Sequence, residues 1–240
     1  AAAAALYGSH AANGAIVITT KKGKEGRLSL TVSQNTEFLR PFVTPNFQNS
    51  YGTGDLLSSA GSVEKSWGNK LNPSNYMGYD PINDFLRTGV VATETVSLST
   101  GTEKNQTYFS ASAVNSVGMV PNNDYDRYNF TFRNTTSFLN DKMTLDVNAS
   151  YIKQKDQNMV NQGTYSNPLV TAYLFPRGDD WNEIKMYERW DTSRNIYTQY
   201  WPQGIDTFTG QNPYWIAYRN LRENNKDRYM LSGSLSYKIL

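Results

Sequence analysis

Apolar and polar residues alternate with a period of two along several stretches of the chain. Two stretches show this most clearly, 143–151 and 229–239. Their apolar positions are Met143, Leu145, Val147, Ala149, Tyr151, Tyr229, Leu231, Leu235, Tyr237 and Ile239, with mostly polar side chains between them. A β-strand points successive side chains to opposite faces, so this alternation predicts strands with one apolar and one polar face.

Weaker stretches extend the pattern. Residues 28–33 and 95–99 alternate in the same way, and phenylalanines mark a further strand that begins near Tyr128. Residues 107–117 also predict a strand, although its two faces are hard to tell apart. The sequence therefore predicts an all-β fold with about six strands.

The connections between these strands alternate in length. Two are very long, at 39–88 and 156–227, one is intermediate, at 118–126, and two are tight turns, at 102–105 and 139–142. An up-and-down barrel in an outer membrane has short turns at one end and longer loops at the other. A soluble β-sandwich explains the strand pattern equally well, but nothing in its Greek-key connections sorts loops by length. Loop lengths therefore favour a membrane barrel.

The composition excludes several other classes. The net charge of +2 and the lack of blocks of like charge argue against nucleic-acid binding. The mean hydropathy of -0.61 and the absence of a long apolar run exclude a transmembrane helix. Hydropathy does not detect the strands of a membrane barrel, because only alternate side chains face lipid. With no cysteine, the sequence has no disulfide or thiol chemistry.

Candidate catalytic or metal-binding groups are few. His10 is the single histidine, so the usual zinc sites and a Ser-His-Asp set are disfavoured, and we expect it to pack or to form hydrogen bonds. The acidic groups Asp124 with Asp126, and Asp179 with Asp180 and Glu183, lack EF-hand spacing. We expect solvated loop carboxylates there. The sequence predicts no enzyme activity, no catalytic residue, no cofactor and no metal site.

The segment from Leu6 to Gly23 joins a glycine-rich turn, a short apolar strand and a basic end. It resembles the segment that closes the plug domain in the SusC/RagA family of TonB-linked outer-membrane proteins. The signature positions are Tyr7, Gly8, Asn13 and Gly14, and His10 stands where the family commonly has Arg. Further segments match in the family's order, among them Ser66-Trp67-Gly68, Phe85-Leu86-Arg87-Thr88-Gly89, Tyr125-Asp126-Arg127-Tyr128 and Asn212-Pro213-Tyr214-Trp215.

The resemblance implies a fold, a location and partners. Residues 1–26 would be the end of the plug, and 27–240 the first part of a transmembrane barrel of about 22 strands. The chain would then be a fragment of an outer-membrane transporter of a Bacteroidota-type bacterium. The implied partners are a SusD-like surface lipoprotein, outer-membrane lipid, a glycan or peptide substrate, and TonB, which binds an N-terminal box absent from this chain. No nucleic acid is expected.

Aromatic residues concentrate in the long connection 156–227. Because long and short connections alternate, this connection is expected on the external face together with the other long one. The side chains predicted to contact the ligand or the SusD-like lipoprotein are Trp181, Trp190, Trp201, Trp215 and Tyr214. The alternative is that these side chains pack on one another and hold a long loop in order.

Two groups of charged and polar residues have predicted positions. Lys21, Lys22, Lys24 and Arg27 suggest a solvated periplasmic linker, with contact to acidic wall residues as an alternative. Asp146 and Asn148 fall on the polar face of their strand, which would face the lumen of a barrel.

Two other functions stay open. A SusC-like barrel could serve as a structural or assembly component of an envelope complex without transport. The third hypothesis for the function is a secreted, aromatic-rich carbohydrate-binding β-domain.

Overall fold

The computed structural model describes residues 8, 21–55, 65–72, 74, 79–202 and 211–239. Six long strands form one antiparallel sheet in the order β1-β4-β5-β6-β7-β10. Their bounds are β1 Gly26–Leu39, β4 Gly89–Gly101, β5 Asn105–Val117, β6 Asp124–Phe138, β7 Met143–Gln157 and β10 Glu223–Tyr237. The prediction of an antiparallel all-β fold is confirmed, and the sheet is consistent with part of a barrel wall.

The two long connections carry secondary structure of their own. The strands there are β2 Gly54–Asp55, β3 Ser66–Trp67, β8 Glu188–Asp191 and β9 Ile196–Gln199. The helices are α1 Pro81–Asp84, α2 Pro168–Leu174, α3 Trp181–Lys185 and α4 Pro213–Arg219. None of these described helices has the length and apolar character needed to cross a membrane.

The long strands extend well beyond the alternating stretches in the sequence. The pattern at 95–99, for example, covers the middle of a strand that runs from Gly89 to Gly101. Alternation does not reveal the ends because it stops there: Val90, Val91 and Ala92 are all apolar, and no apolar residue follows Leu98 before the turn. Pairing with neighbouring strands continues there, because Gly89 is paired with Leu39 and Gly101 with Gln106.

The strand register separates the two faces of β5, which the sequence left ambiguous. Phe109 pairs with Leu98 on one side and with Phe132 on the other, so it lies on the apolar face. Tyr108 and Ser110 lie on the polar face. The sequence is ambiguous because an aromatic residue lies on each face and small residues fill most other positions.

The apolar face of the sheet is exposed. Leu30 is 61% exposed, Phe132 43% and Leu231 83%. A soluble antiparallel sandwich buries this face against a second layer. Within the part of the chain that the structure describes, no second layer covers this face.

The buried apolar core lies in the connections and not on the sheet face. It consists of Tyr79, Phe85, Val120, Ala172, Phe175, Trp181 and Ile184. Antiparallel order brings the β1–β4, β5–β6 and β7–β10 connections to one end of the sheet. We call the described residues of these three connections the loop cluster. The opposite end carries the two short turns.

Candidate functional site

Trp181 is the centre of the loop cluster. Its ring stacks on Tyr79 with 4.2 Å between centroids and meets Phe175 edge-on at 5.0 Å. The indole Nε1 donates to the Tyr214 hydroxyl at 3.1 Å, and that hydroxyl donates to the Asp84 carbonyl at 3.2 Å. Segments from both long connections are thereby joined through one side chain that is 3% exposed.

The phenol of Tyr79 is buried in the same core. It donates to the Ala172 carbonyl at 2.5 Å. Burial raises the pKa of Tyr79 far above its ordinary value, because the anionic form would lose its hydration. The side chain is therefore a neutral donor that fixes α2 beside residue 79.

Arg177 connects the segment before β2 to this core. The guanidinium lies 4.1 Å from the Phe47 ring centroid and 5.0 Å from that of Tyr79. It also donates to the carbonyls of Tyr79 and Tyr173. An Arg can be 3% exposed here because aromatic faces and carbonyl oxygens replace water around it.

Asn212 organises the start of α4 and is fully buried. Its Oδ1 accepts from the Tyr214 amide at 2.8 Å, which caps the helix. Its Nδ2 donates to the carbonyls of Ile184 and Tyr200 at 2.7 and 3.0 Å. One amide therefore holds α4 against both α3 and the segment after β9.

We expect Asn212→Ala to destabilise the loop cluster by about 2–3 kcal/mol, because a cap is lost and two buried carbonyls lose their donor. Hydrogen exchange of α4 amides measures this. Asn167→Ala is the matched control, since Asn167 also caps a helix, α2, but is less buried. Its expected cost is about 1 kcal/mol. Equal losses in the two variants would contradict the role of Asn212.

The β8–β9 hairpin presents an exposed aromatic surface. Trp190 and Tyr197 are paired across the hairpin with their rings edge-on at 5.0 Å, and they are 48% and 53% exposed. The Arg219 guanidinium lies 5.7 Å from the Tyr197 ring centroid. We call Trp190, Tyr197 and Arg219 the hairpin patch. It combines two aromatic faces with one cation.

Arg219 also attaches the hairpin to α4. Its Nε and Nη2 donate to the two Glu188 carboxylate oxygens at 2.6 and 2.8 Å. These hydrogen bonds hold the pKa of Glu188 below its ordinary value. The pair orients the guanidinium and leaves the aromatic rings of the patch exposed.

The Glu188 pair predicts a dependence on pH. Because the folded-state pKa is lowered, the stabilisation is complete above the ordinary glutamate pKa, about 4.3, and is lost as pH falls through the folded value. We expect the protection factors of hairpin amides to decrease in acid. Asp191, whose pKa Ser193 and Arg194 lower, adds to this decrease. Glu188→Gln should remove part of it, and an unchanged profile in that variant would contradict the role of the pair.

The five aromatic residues predicted to contact ligand or lid have different surroundings. Trp190 is half exposed, whereas Trp181 is buried and Tyr214 and Trp201 pack against the core. Trp215 is half-buried at the start of α4. Packing accounts for the positions of Trp181, Tyr214 and Trp201, and direct contact by Trp181 would require the core to open. Contact with a ligand or lid stays a prediction.

The plug signature falls largely outside the described residues. Tyr7, Asn13 and Gly14 are not among them, nor is His10. Gly8 is exposed, and its φ of 78° lies in the left-handed region that favours glycine. Its role in a plug stays a prediction.

The acidic residues whose spacing was compared with an EF-hand have protein partners, and Asp124 and Asp126 lie in β6 and not in a loop. Asp126 accepts from Asn115, and Asp179 accepts from Thr53. Asp180 caps α3 by accepting from the Asn182 amide. Within the described ranges, no three acidic or histidine side chains come together as a metal site.

On the polar face, a charged group lies near the short turns. Arg133 donates from Nε and Nη2 to both oxygens of Asp146, at 2.9 and 2.6 Å. The Lys22 Nζ lies 3.6 Å from the same carboxylate. Contact between the basic segment and an acidic wall residue was one of the two alternatives from the sequence. Arg133 was not singled out, although alternation from Phe132 would have placed it on the polar face.

Comparison with known proteins gives a family resemblance. No family model matches the chain. It is 29% identical over 162 residues to the TonB-dependent receptor SusC of Bacteroides thetaiotaomicron, covering 65% of this chain. The chain is SusC-like. The TonB-dependent receptor P39 of Formosa agariphila is likewise 29% identical, over 133 residues and 52% of this chain.

These matches cover a small part of each relative. The SusC-like chain spans 15% of the length of the first and 12% of the second. The resemblance agrees with the antiparallel sheet, since the strand order and the segregation of loop lengths are consistent with part of a barrel wall.

Proposed function

We propose that this SusC-like chain is part of a TonB-dependent outer-membrane transporter that imports a nutrient such as an oligosaccharide or a peptide. Residues 1–26 form the end of its plug and 27–240 its first wall strands. The observation that carries this proposal is the exposed apolar face of the six-stranded sheet, opposite a polar face. In a barrel wall the first face contacts lipid and the second lines the lumen.

Rows of aromatic side chains bound the apolar face at both ends. Phe130, Tyr151 and Tyr229 are paired across three strands, with ring centroids 6.3 and 4.9 Å apart. Eight residues along the strands, Phe138 and Tyr237 flank Met143 in a second row. Eight residues span about 27 Å of strand, or about 20 Å across a membrane at a 40° tilt. Aromatic girdles at this separation suit the two interfaces of an outer membrane.

The loop cluster would then lie outside the membrane, beyond the first aromatic row. There it would meet substrate and a SusD-like lipoprotein. A large ordered core supports this role, because it holds the exposed hairpin patch in one position. We propose that the hairpin patch contacts the lipoprotein, since exposed Trp, Tyr and Arg side chains concentrate binding energy at protein interfaces.

Trp190→Ala is expected to weaken the complex with the lipoprotein by about 2 kcal/mol, or roughly thirtyfold in Kd. Trp67→Ala is the matched control, because Trp67 is 59% exposed but lies in the other long connection. Binding of the two purified partners in detergent measures both variants. A larger loss with Trp67→Ala would move the contact to that connection.

The proposed function is tested by isolating the full-length protein from outer membranes. We expect it to stay with the membrane in alkaline carbonate, to require detergent for extraction, and to carry a SusD-like lipoprotein in stoichiometric amount. A bound glycan or peptide would identify the cargo. Extraction without detergent would contradict the proposal, and co-purification with envelope-assembly proteins and no ligand would favour the structural alternative.

A further inference from the structure

Residues 21–24 cross the polar face of the sheet beside the short turns, before the chain enters β1. We call them the strap. We propose that the strap stays docked on the wall when the transporter is energised, and that Asp146 is the positioning residue that holds it. This inference rests on the proposed function, because it concerns which part of an energised transporter stays fixed.

The backbone of the strap is in close contact with the sheet. A Cβ added to Gly23 would lie 2.5 Å from the Thr107 nitrogen, so only glycine allows this approach to β5. The next residue, Lys24, donates its backbone N–H to the Ser99 hydroxyl on β4 at 3.0 Å. Two neighbouring residues are thereby fixed on two neighbouring strands.

The side chain of Lys22 extends this contact across the sheet. Its ammonium group reaches Asp146 on β7, two strands beyond β5. The strap therefore contacts β4, β5 and β7 within three residues.

Arg133 makes Asp146 a fixed partner for the strap. Its two charge-assisted hydrogen bonds orient the carboxylate, and the two side chains are 12% and 20% exposed. Asp146 remains open to Lys22, whose own side chain is 52% exposed. The wall partner is therefore ordered before the strap binds, and Lys22 is the replaceable member of the group.

The docking of the strap is tested by tryptic cleavage after Lys24 in the full-length protein in outer membranes. We expect Lys22→Gln to speed this cleavage by about two- to fivefold, the range that loss of an exposed ion pair allows. Lys21→Gln is the matched control and should leave it unchanged. Gly23→Ala should speed this cleavage more than Lys22→Gln does. Equal cleavage in wild type, Lys22→Gln and Gly23→Ala would overturn the docked arrangement.

Thiol labelling tests whether the strap stays fixed when the transporter is energised, and it uses the absence of cysteine from these 240 residues. Ser9→Cys and Lys24→Cys are introduced separately into the full-length protein. Each is labelled with a charged maleimide from the periplasmic side, in energised cells and after addition of a protonophore. We expect labelling at position 9 to depend on energy and labelling at position 24 to stay the same.

The three outcomes separate the two proposals. Energy-dependent labelling at position 9 alone supports the fixed strap. Energy-dependent labelling at position 24, with or without position 9, overturns it, since the strap would then leave the wall. If labelling depends on energy at neither position, both the proposal that the strap stays fixed during transport and the proposal of an energised importer are overturned. The tryptic result still reports whether the strap is docked.

Discussion

Trp181→Ala is expected to destabilise the loop cluster by about 3–5 kcal/mol, the usual cost of removing a large buried aromatic side chain. The ring is 3% exposed and contacts Tyr79, Phe85 and Phe175. Removing it leaves a cavity among residues from both long connections and deletes the donor to Tyr214. Hydrogen exchange of the α4 amides in the full-length protein measures the effect.

Trp190→Ala is the matched control for this prediction. Trp190 is a tryptophan of the same connection but is 48% exposed on the hairpin. Its removal should cost less than about 1 kcal/mol in loop stability, because little buried area is lost. The two substitutions therefore distinguish aromatic residues that pack in the core from aromatic residues that are free to contact a ligand or the lipoprotein. If Trp190→Ala destabilised α4 as much as Trp181→Ala did, the buried core would not be centred on Trp181.

In the proposed barrel, Leu231→Arg is expected to destabilise the folded state in a bilayer by about 1–3 kcal/mol. A cation facing lipid costs about 2–4 kcal/mol at the midplane and about 0–1 kcal/mol near the interfaces, and Leu231 lies between these depths. Leu231 lies on the apolar face between the two aromatic rows, paired with Ala149, and is 83% exposed. Chemical denaturation of the full-length protein in lipid vesicles measures the loss. An aqueous sandwich surface would tolerate this change.

Ser232→Arg is the control at the adjacent position. It lies on the polar face of the same strand, which we assign to the lumen, and should cost less than about 1 kcal/mol. The two variants add the same charge one residue apart, so the difference between them reports the environment of each face. A greater cost for Ser232→Arg would reverse the assignment of lipid and lumen.

Together these variants separate the two parts of the molecule. Leu231→Arg should leave α4 exchange unchanged, because the loop cluster has its own core. Trp181→Ala should leave the midpoint of barrel denaturation nearly unchanged for the same reason. Sites without shared partners usually have additive effects.

The alternation of apolar and polar residues located the six long strands. Such a strand has apolar side chains on one face, towards lipid or a core, and polar side chains on the other, so the sequence repeats with a period of two. Residues 143–151 show this most clearly, and the structure places them within β7. The lengths of the connections also predicted which strand ends share one side of the sheet. The strand ends were less visible, because runs of similar residues, apolar at 90–92 and polar at 153–157, carry no period.

The sequence also singled out the aromatic residues of the long connection, but not which of them are buried. Trp181 and Trp190 lie nine residues apart in similar polar surroundings, and no local pattern distinguishes them. Trp181 is buried because Tyr79 and Phe85, about 100 residues earlier, pack on it. That difference depends on contacts between two connections, which the sequence does not place.

By itself, the sequence determined the class of fold, the approximate positions of the strands, the sorting of long and short connections and the resemblance to SusC-type receptors. These follow from local periodicity, from loop length and from short motifs. Only the tertiary structure decided that the apolar sheet face stays exposed while the core lies at the loop end, and that Lys22 meets Asp146 held by Arg133. Both depend on strand register, which brings together residues that are far apart in the chain.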